Sequence, residues 1–387
     1  MPEAVIVSAT RTPIGRAFKG SLVTARPDDL SGTIIDAALR QVPALDRAEI
    51  VDVIMGAANH VGEQGMNLGR NAAALAGLPD TVPGTTVNRG CGSSLQAIRM
   101  AHQAIVTGEG HAFVAAGVES VSRLPGVYDE DAMNPRFRDA SRPDYINDMY
   151  ISMGNTAENV AREYGVTRRA MDEFALLSQQ RAAAAIEAGF FAREITPVTL
   201  ADGTVVDRDD CPRPGTTLEG LAALKPAFRE DGVVTPGNSC PLNDGAAAVV
   251  VMSDIRAAEL GITPLARVLG SAVTGLAPEV MGVGPIEAVG QLLARHRMKI
   301  ADVDVVELNA AFAAQVLPIA RELGISIEDQ LNPHGGSIAL GHPFGMTGTR
   351  IMTTLINGLR TRDGQIGLET MCIGGGMGIA MLIERLS

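Results

Sequence analysis

A chain of 387 residues can bury a large core and divide into two or three domains, which excludes a small fold stapled by disulfides or metal. Its formal charge of −12, with no Lys/Arg-dense run, would repel a nucleic-acid backbone rather than bind it. Apolar residues at 46%, aromatics at 3% and 43 glycines describe an α/β enzyme of short aliphatic elements joined by tight turns. No segment approaches 18 uninterrupted apolar residues and the start carries no secretory pattern, so the expectation is a cytoplasmic protein without a membrane partner.

In chain order, "EAVIVSAT" near the start and "HAFVAAGVE" at 111–119 are aliphatic runs bounded by turn residues, as expected of buried strands in a covered sheet. Between them "SSLQAIRMAHQAIVTG" places Leu95, Ile98, Ala101 and Ile105 on one helical face and meets a stop at Gly108. This alternation predicts a mostly parallel sheet. From about 119 to 240 the texture is polar and Pro-rich, then helical in "TAENVAREYG" and "TRRAMDEFALLSQQRAAAAIEAG", with Thr167 as N-cap and Gly189 as stop. Aliphatic runs return in "DGAAAVVVMS", "ARVLGSAV", "DVDVVELN" and the closing pair "IGLETMCI" and "GMGIAMLIERL". Cys91 to Gly117 and Met346 to Cys372 both span 26 positions (117 − 91; 372 − 346), an internal echo that suggests two similar α/β halves. The expected partition is an N-terminal half at 1–118 and 241–264, a loop domain at 119–240 and a C-terminal half at 265–387.

The four cysteines, Cys91, Cys211, Cys240 and Cys372, show no CxxC spacing, so neither a zinc site nor a disulfide framework is signalled. Cys91 in "VNRGCGSSLQAI" precedes a helix, where unpaired amides and the helix dipole would stabilise a thiolate; the alternative is a small residue packed in a tight turn. In "NPHGGSIALGHPFGMTGTR", His342 lies between Gly341 and Pro343, placed to take a thiol proton, whereas His334 reads as an exposed turn residue. His60, His102, His111 and His296 read as surface or strand-edge positions. Cys372 ends a strand in "ETMCIGGGMG", and the glycines after it free backbone amides for a developing oxyanion. Asn309 in "VVELNAAFAAQ" either caps the following helix or orients a water in a pocket.

Together these stretches resemble the thiolase family, over essentially the whole chain: "VNRGCGSSLQA" is similar to its nucleophile motif, "GGSIALGHPFGMTG" to its histidine motif and "MCIGGGMG" to its second-cysteine motif, in the family's order. The resemblance implies a five-layered αβαβα fold of two similar halves with an inserted loop domain, assembled as a homodimer or homotetramer. It implies acyl transfer by ping-pong chemistry with coenzyme A as co-substrate and no tightly bound cofactor, in the direction of 3-ketoacyl-CoA thiolysis or Claisen condensation. Cys91 would carry the acyl group and His342 would take its proton. Cys372 would act as acid or base at the acetyl α-carbon, Asn309, through a bound water, and His342 would hold the enolate oxygen, and the amides of Cys91 and Gly374 would hold the other oxyanion. Coenzyme A contacts implied in the same way are Met153, Arg213, Phe228, Cys240, Met281 and Phe312.

The chain departs from the family's pattern in three places. Cys240 replaces the usual serine, Ala310 the usual glutamate of Asn-Glu-Ala-Phe, and Ser152 the usual histidine before Met153. Ala310 leaves open a second reading, a catalytically weak acyl-CoA carrier of the same fold. A ketoacyl synthase, the nearest rival enzyme, would not want a thiol in the last strands.

Overall fold

The computed structural model describes residues 1–124 and 132–387. Residues 125–131, part of the expected loop domain at 119–240, lie outside the described residues. In the first half the strands are β1 (Ala4–Arg11), β2 (Gly15–Arg16), β3 (Asp52–Gly56), β4 (Gly84–Val87) and β5 (Ala112–Ser120), interleaved with helices α1 (Pro27–Arg40), α2 (Leu68–Leu75) and α3 (Ser93–Thr107). An excursion carries α4 (Met153–Glu163), α5 (Arg168–Glu187), the short pair β6 (Val198–Thr199) and β7 (Val205–Val206), and α6 (Leu218–Ala222). The chain then returns through β8 (Asn243–Ser253), α7 (Asp254–Glu259), β9 (Ala266–Gly275), α8 (Gly284–His296), β10 (Val305–Leu308), α9 (Ala313–Leu323), α10 (Ser337–Leu340), α11 (Thr347–Arg362), β11 (Ile366–Ile373) and β12 (Met377–Arg385).

The main sheet runs β10-β11-β12-β9-β1-β8-β5-β3-β4, with β2 on β8. The expectation of a mostly parallel sheet is corrected here. β3 is parallel to β4 and β5, and β10 to β11, but β5, β8, β1, β9, β12 and β11 succeed one another antiparallel. For β11 and β12 the physical reason is connection length: a turn of three glycines, 374–376, joins them, and so short a link permits only antiparallel pairing. Within the sheet the two halves join at a narrow seam, where Val5 and Ile6 of β1 pair with Arg267 and Ala266 of β9.

Strand alternation builds the layers. In β5, Ala112, Val114, Ala116 and Val118 face the core under α1 and α2, while Phe113 and Ala115 face a central core shared with α3 and α11. In β12, Ile379, Met381 and Ile383 face that same central core, and Ala380 and Leu382 face a third core under α8 and α9. Both faces of each half are therefore covered, and the long aliphatic runs follow from that. The outcome is five layers, with α3 and α11 packed against each other in the middle; a Cβ on Gly348 would lie 2.3 Å from the Leu95 nitrogen, and the Thr349 amide donates to Ser94 Oγ at 3.0 Å.

The capping signals hold. Thr167 accepts from the Ala170 amide, and Gly108 and Gly189 stop α3 and α5 in the left-handed region.

Candidate active site

The turn into α3 is fixed by polar side chains that leave the thiol free. Asn88 anchors it by donating to the Ala58 carbonyl at 2.9 Å and accepting from the Gly90 amide at 2.8 Å, and Ser93 Oγ donates to the Gly90 carbonyl at 2.6 Å. Gly90, at φ +49, makes the left-handed step that swings Cys91 outward. Cys91 opens onto a cavity of about 520 Å³ lined also by Met133, Met149, Met153, Phe344 and Gly374. The amides of Gly374 and of Cys91 itself point at its sulfur.

The expected lowering of this thiol's pKa is overturned. Gly92, not Cys91, caps α3, and burial with the nearby Glu119 carboxylate pushes the thiol up to about 12, against which the two amides give only partial relief. Glu119 was not singled out from sequence, because a carboxylate after an aliphatic strand usually meets water. Here it is buried, accepting from the amides of Ala58 and Gly345 and the side chains of Gln64 and Asn59.

His342 is held from several sides. Its amide donates to Asn243 Oδ1 at 2.8 Å, and Gly341, at φ +107, passes so near Asn243 that a Cβ there would sit 2.7 Å from the amide group. Thr347 Oγ1 gives its one proton to the Pro343 carbonyl at 2.7 Å and lies 2.6 Å from His342 Nδ1, so Nδ1 carries the hydrogen and Nε2 presents its lone pair. Burial and then the Arg350 charge hold the imidazole down to about 3. Thiol and imidazole are both neutral at rest.

Asn309 does not cap a helix. α9 begins at Ala313 behind Phe312, and the Asn309 amide instead lies 3.3 Å from His342 Nε2 and accepts from Ser337 Oγ at 2.6 Å. Cys372 is buried next to the end of β11, its sulfur donating to Gln315 Oε1 at 3.4 Å, while Gln315 Nε2 donates to the sulfur of Met281 at 3.6 Å. Burial pushes the Cys372 thiol up, and a thiolate formed at Cys91 would push it further, which places the two sulfurs within electrostatic reach. Gln315, Ser337 and Thr347 are functional-site neighbours that sequence reasoning missed; the last two sit inside the histidine stretch, and their polarity among small residues was the available signal.

Arg213, Phe228 and Cys240 line a second cavity of about 300 Å³ with Arg16, Phe18 and Lys19. Phe228 meets Phe312 edge-on at 6.0 Å and covers Gly154, beside Met153, so this cavity adjoins the first. The Cys240 amide donates to the Ala311 carbonyl at 2.8 Å, tying that wall to the Asn309 loop. Arg16, Phe18 and Lys19 gave no sequence signal, since they belong to no motif. Met281 lies one residue behind the site rather than on either cavity wall, and it is buried.

His334 is corrected from an exposed turn residue. It stacks on Phe190 at 3.7 Å between centroids, and burial with the Arg362, Arg193 and Arg181 charges lowers it to about 4.

The family described as "Thiolase, N-terminal domain" matches residues 4–255, and "Thiolase, C-terminal domain" matches 262–385. The chain belongs to the thiolase family. It is similar over its full length to a beta-ketoadipyl-CoA thiolase of Acinetobacter baylyi, 45% identical with 100% of each chain covered. It is likewise similar to a 3-ketoacyl-CoA thiolase of Bacillus subtilis, 45% identical over 99% of this thiolase and 100% of that one. Among solved structures, the Bacillus anthracis acetyl-CoA acetyltransferase superposes with a TM-score of 0.91 at 38% identity, covering 100% of this chain and 99% of the other.

Proposed function

We propose that this thiolase-family acyltransferase cleaves 3-ketoacyl-CoA with coenzyme A, or runs the reverse condensation, through an acyl group held on Cys91. The observation that carries the reading is a thiol opening onto a cavity with two amides aimed at its sulfur, in a fold that also presents an unprotonated imidazole nitrogen. The neutral resting pair means that the Cys91 proton moves to His342 Nε2 as the sulfur attacks, when the new oxyanion meets the amides of Cys91 and Gly374. The C2–C3 bond then breaks. Its electron pair becomes the enolate of acetyl-CoA, held by Asn309 and His342, and Cys372 gives it a proton.

In the second half, the Cys372 thiolate takes the proton of coenzyme A, whose sulfur attacks the acyl-cysteine. Cys91 leaves and recovers its proton from His342, which restores the starting state. Among the described residues, the acyl chamber at Cys91 is walled by Met133, Met149, Met153 and Phe344. Coenzyme A occupies the adjoining cavity, with Phe228 and Cys240 along the pantetheine and Arg213, Arg16 and Lys19 toward the phosphates, a placement supported by their position around one opening. Residues 119–240 act as the CoA-binding loop domain in this reading. By resemblance to its family the enzyme is cytoplasmic and a homodimer or homotetramer, with coenzyme A as co-substrate and no resident cofactor.

Intact-mass measurement after exposure to a 3-ketoacyl-CoA series tests the proposal. The wild type should gain one acyl group on Cys91 and Cys91→Ala none. Binding of acyl-CoA without any adduct or thiolysis would replace the reading.

A further inference from the structure

We infer that Ser337, itself held by Arg350, is a positioning residue that fixes which way the Asn309 amide faces; the inference rests on the role given to Asn309 above. The argument is a count of protons. Arg350 Nη2 lies 2.9 Å from Ser337 Oγ and can only donate, and among the hydrogen bonds of the described residues Asn309, 2.6 Å away, offers the one acceptor for the serine hydrogen. The atom receiving it must be Oδ1. The NH2 group is thereby turned to His342 Nε2, whose lone pair is exposed because Nδ1 donates to Thr347, which donates to the Pro343 carbonyl. Donation runs in one direction through five contacts: Arg350, Ser337, Asn309, His342, Thr347, Pro343.

Each member is buried: Arg350 is 1% exposed, Ser337 0%, Asn309 3% and His342 2%. No other side chain supplies Oδ1 with a donor among the hydrogen bonds of the described residues, and position 310 offers only the methyl group of a fully buried alanine. Without the serine hydroxyl, Oδ1 is left a buried acceptor with no donor, and nothing opposes rotation of the amide. A rotated amide sets an oxygen against the imidazole lone pair and withdraws the N–H donor that the enolate oxygen requires.

Arg350 contributes more than a contact. Among the described residues its Nε and Nη1 have no partner, and the carboxylates whose charge acts on it are Glu307, Glu194 and Asp209, with Glu369 opposite Glu307 on β11. A cation committed to Ser337 through one nitrogen keeps that hydroxyl pointing away from itself and toward Asn309.

The test compares two exchange reactions catalysed by the same enzyme. Label exchange between acetyl-CoA and coenzyme A needs only acylation of Cys91, whereas washout of the acetyl methyl protons into deuterated water needs the enolate. For Ser337→Ala, the ratio of washout to label exchange should fall ~10–100-fold, the range for loss of an orienting neighbour, with KM for acetyl-CoA in washout unchanged. Ser337→Thr, which keeps the hydroxyl, should recover most of the ratio. A merely structural serine would depress both reactions together, so an unchanged ratio in Ser337→Ala overturns the inference. Wild-type enzyme that exchanges neither label removes the acyl-cysteine reading, and the positioning role with it.

Discussion

Helices α3 and α11 hold matching places in the two halves. Ser93 to Ala112 and Thr347 to Ile366 are both 19 positions apart (112 − 93; 366 − 347), and each helix leads to a strand paired antiparallel with its neighbour, β5 with β8 and β11 with β12. The turns into the helices hold opposite kinds of group. Before α3 the turn is fixed by Asn88 and Ser93, and its reactive atom, the Cys91 sulfur, opens onto a cavity. Before α11 the turn is sunk into the protein, and its reactive atom, His342 Nε2, is aimed by bonds on the far side of the ring. On the proposed reading the two halves divide the labour: the first half presents the acyl carrier, and the second half presents the groups that move protons. Neither half holds a complete site.

The sharpest way to break this comparison is to remove one thiol from each half. Cys91→Ala should abolish both thiolysis and label exchange, by roughly 10⁴-fold or more as expected for a lost nucleophile, read by steady-state turnover. Cys372→Ala should lower overall turnover by about 10²–10⁴-fold, the span for general acid–base catalysis, while label exchange through Cys91 survives. Loss of acylation in Cys372→Ala would show that the halves do not divide the work this way. Next in size, Asn309→Ala should reduce methyl-proton washout by about 10²–10³-fold, as for removal of one oxyanion donor.

The pH dependence sharpens the same contrast. With Cys91 up to about 12 and His342 down to about 3, the free enzyme holds no thiolate–imidazolium pair. Alkylation of Cys91 by iodoacetamide should therefore climb steadily through pH 8–10, measured as rate of mass gain at that residue. A plateau below pH 8 would mean that the pair is ionised at rest.

The smallest expected effect concerns stability. The buried His342 and half-buried His334 have pKa values lowered from 6.5 to about 3 and about 4, so the unfolded chain binds their protons first. Their contribution is present above pH 6.5 and lost as pH falls toward 3. Glu307 behaves oppositely: burial raises it from 4.5 to about 8, so its contribution is complete below pH 4.5 and lost as pH rises through 8. Glu307→Gln should flatten the decline of Tm between pH 5 and 9, by a few degrees at the alkaline end, in thermal melts across that range.

Much of this was legible in the chain. Glycines flanking Cys91 and His342, the repeated 26-residue spacing and the three motifs mark the two halves and the candidate reacting groups, because tight turns and buried strands leave local, periodic marks. Thr167, Gly108 and Gly189 were readable as helix ends for the same reason. Sheet direction was not: strand–helix–strand alternation says nothing of where β8 or β12 returns. Nor were the burial of Glu119 and His334, the fit of Ser337 between Arg350 and Asn309, or the rise of the Cys91 pKa. Each depends on which distant segments close over a group and remove its water. Burial and amide orientation bring together groups far apart in the chain, such as Asn309 and Ser337, separated by 28 positions, and only the packed fold fixes them.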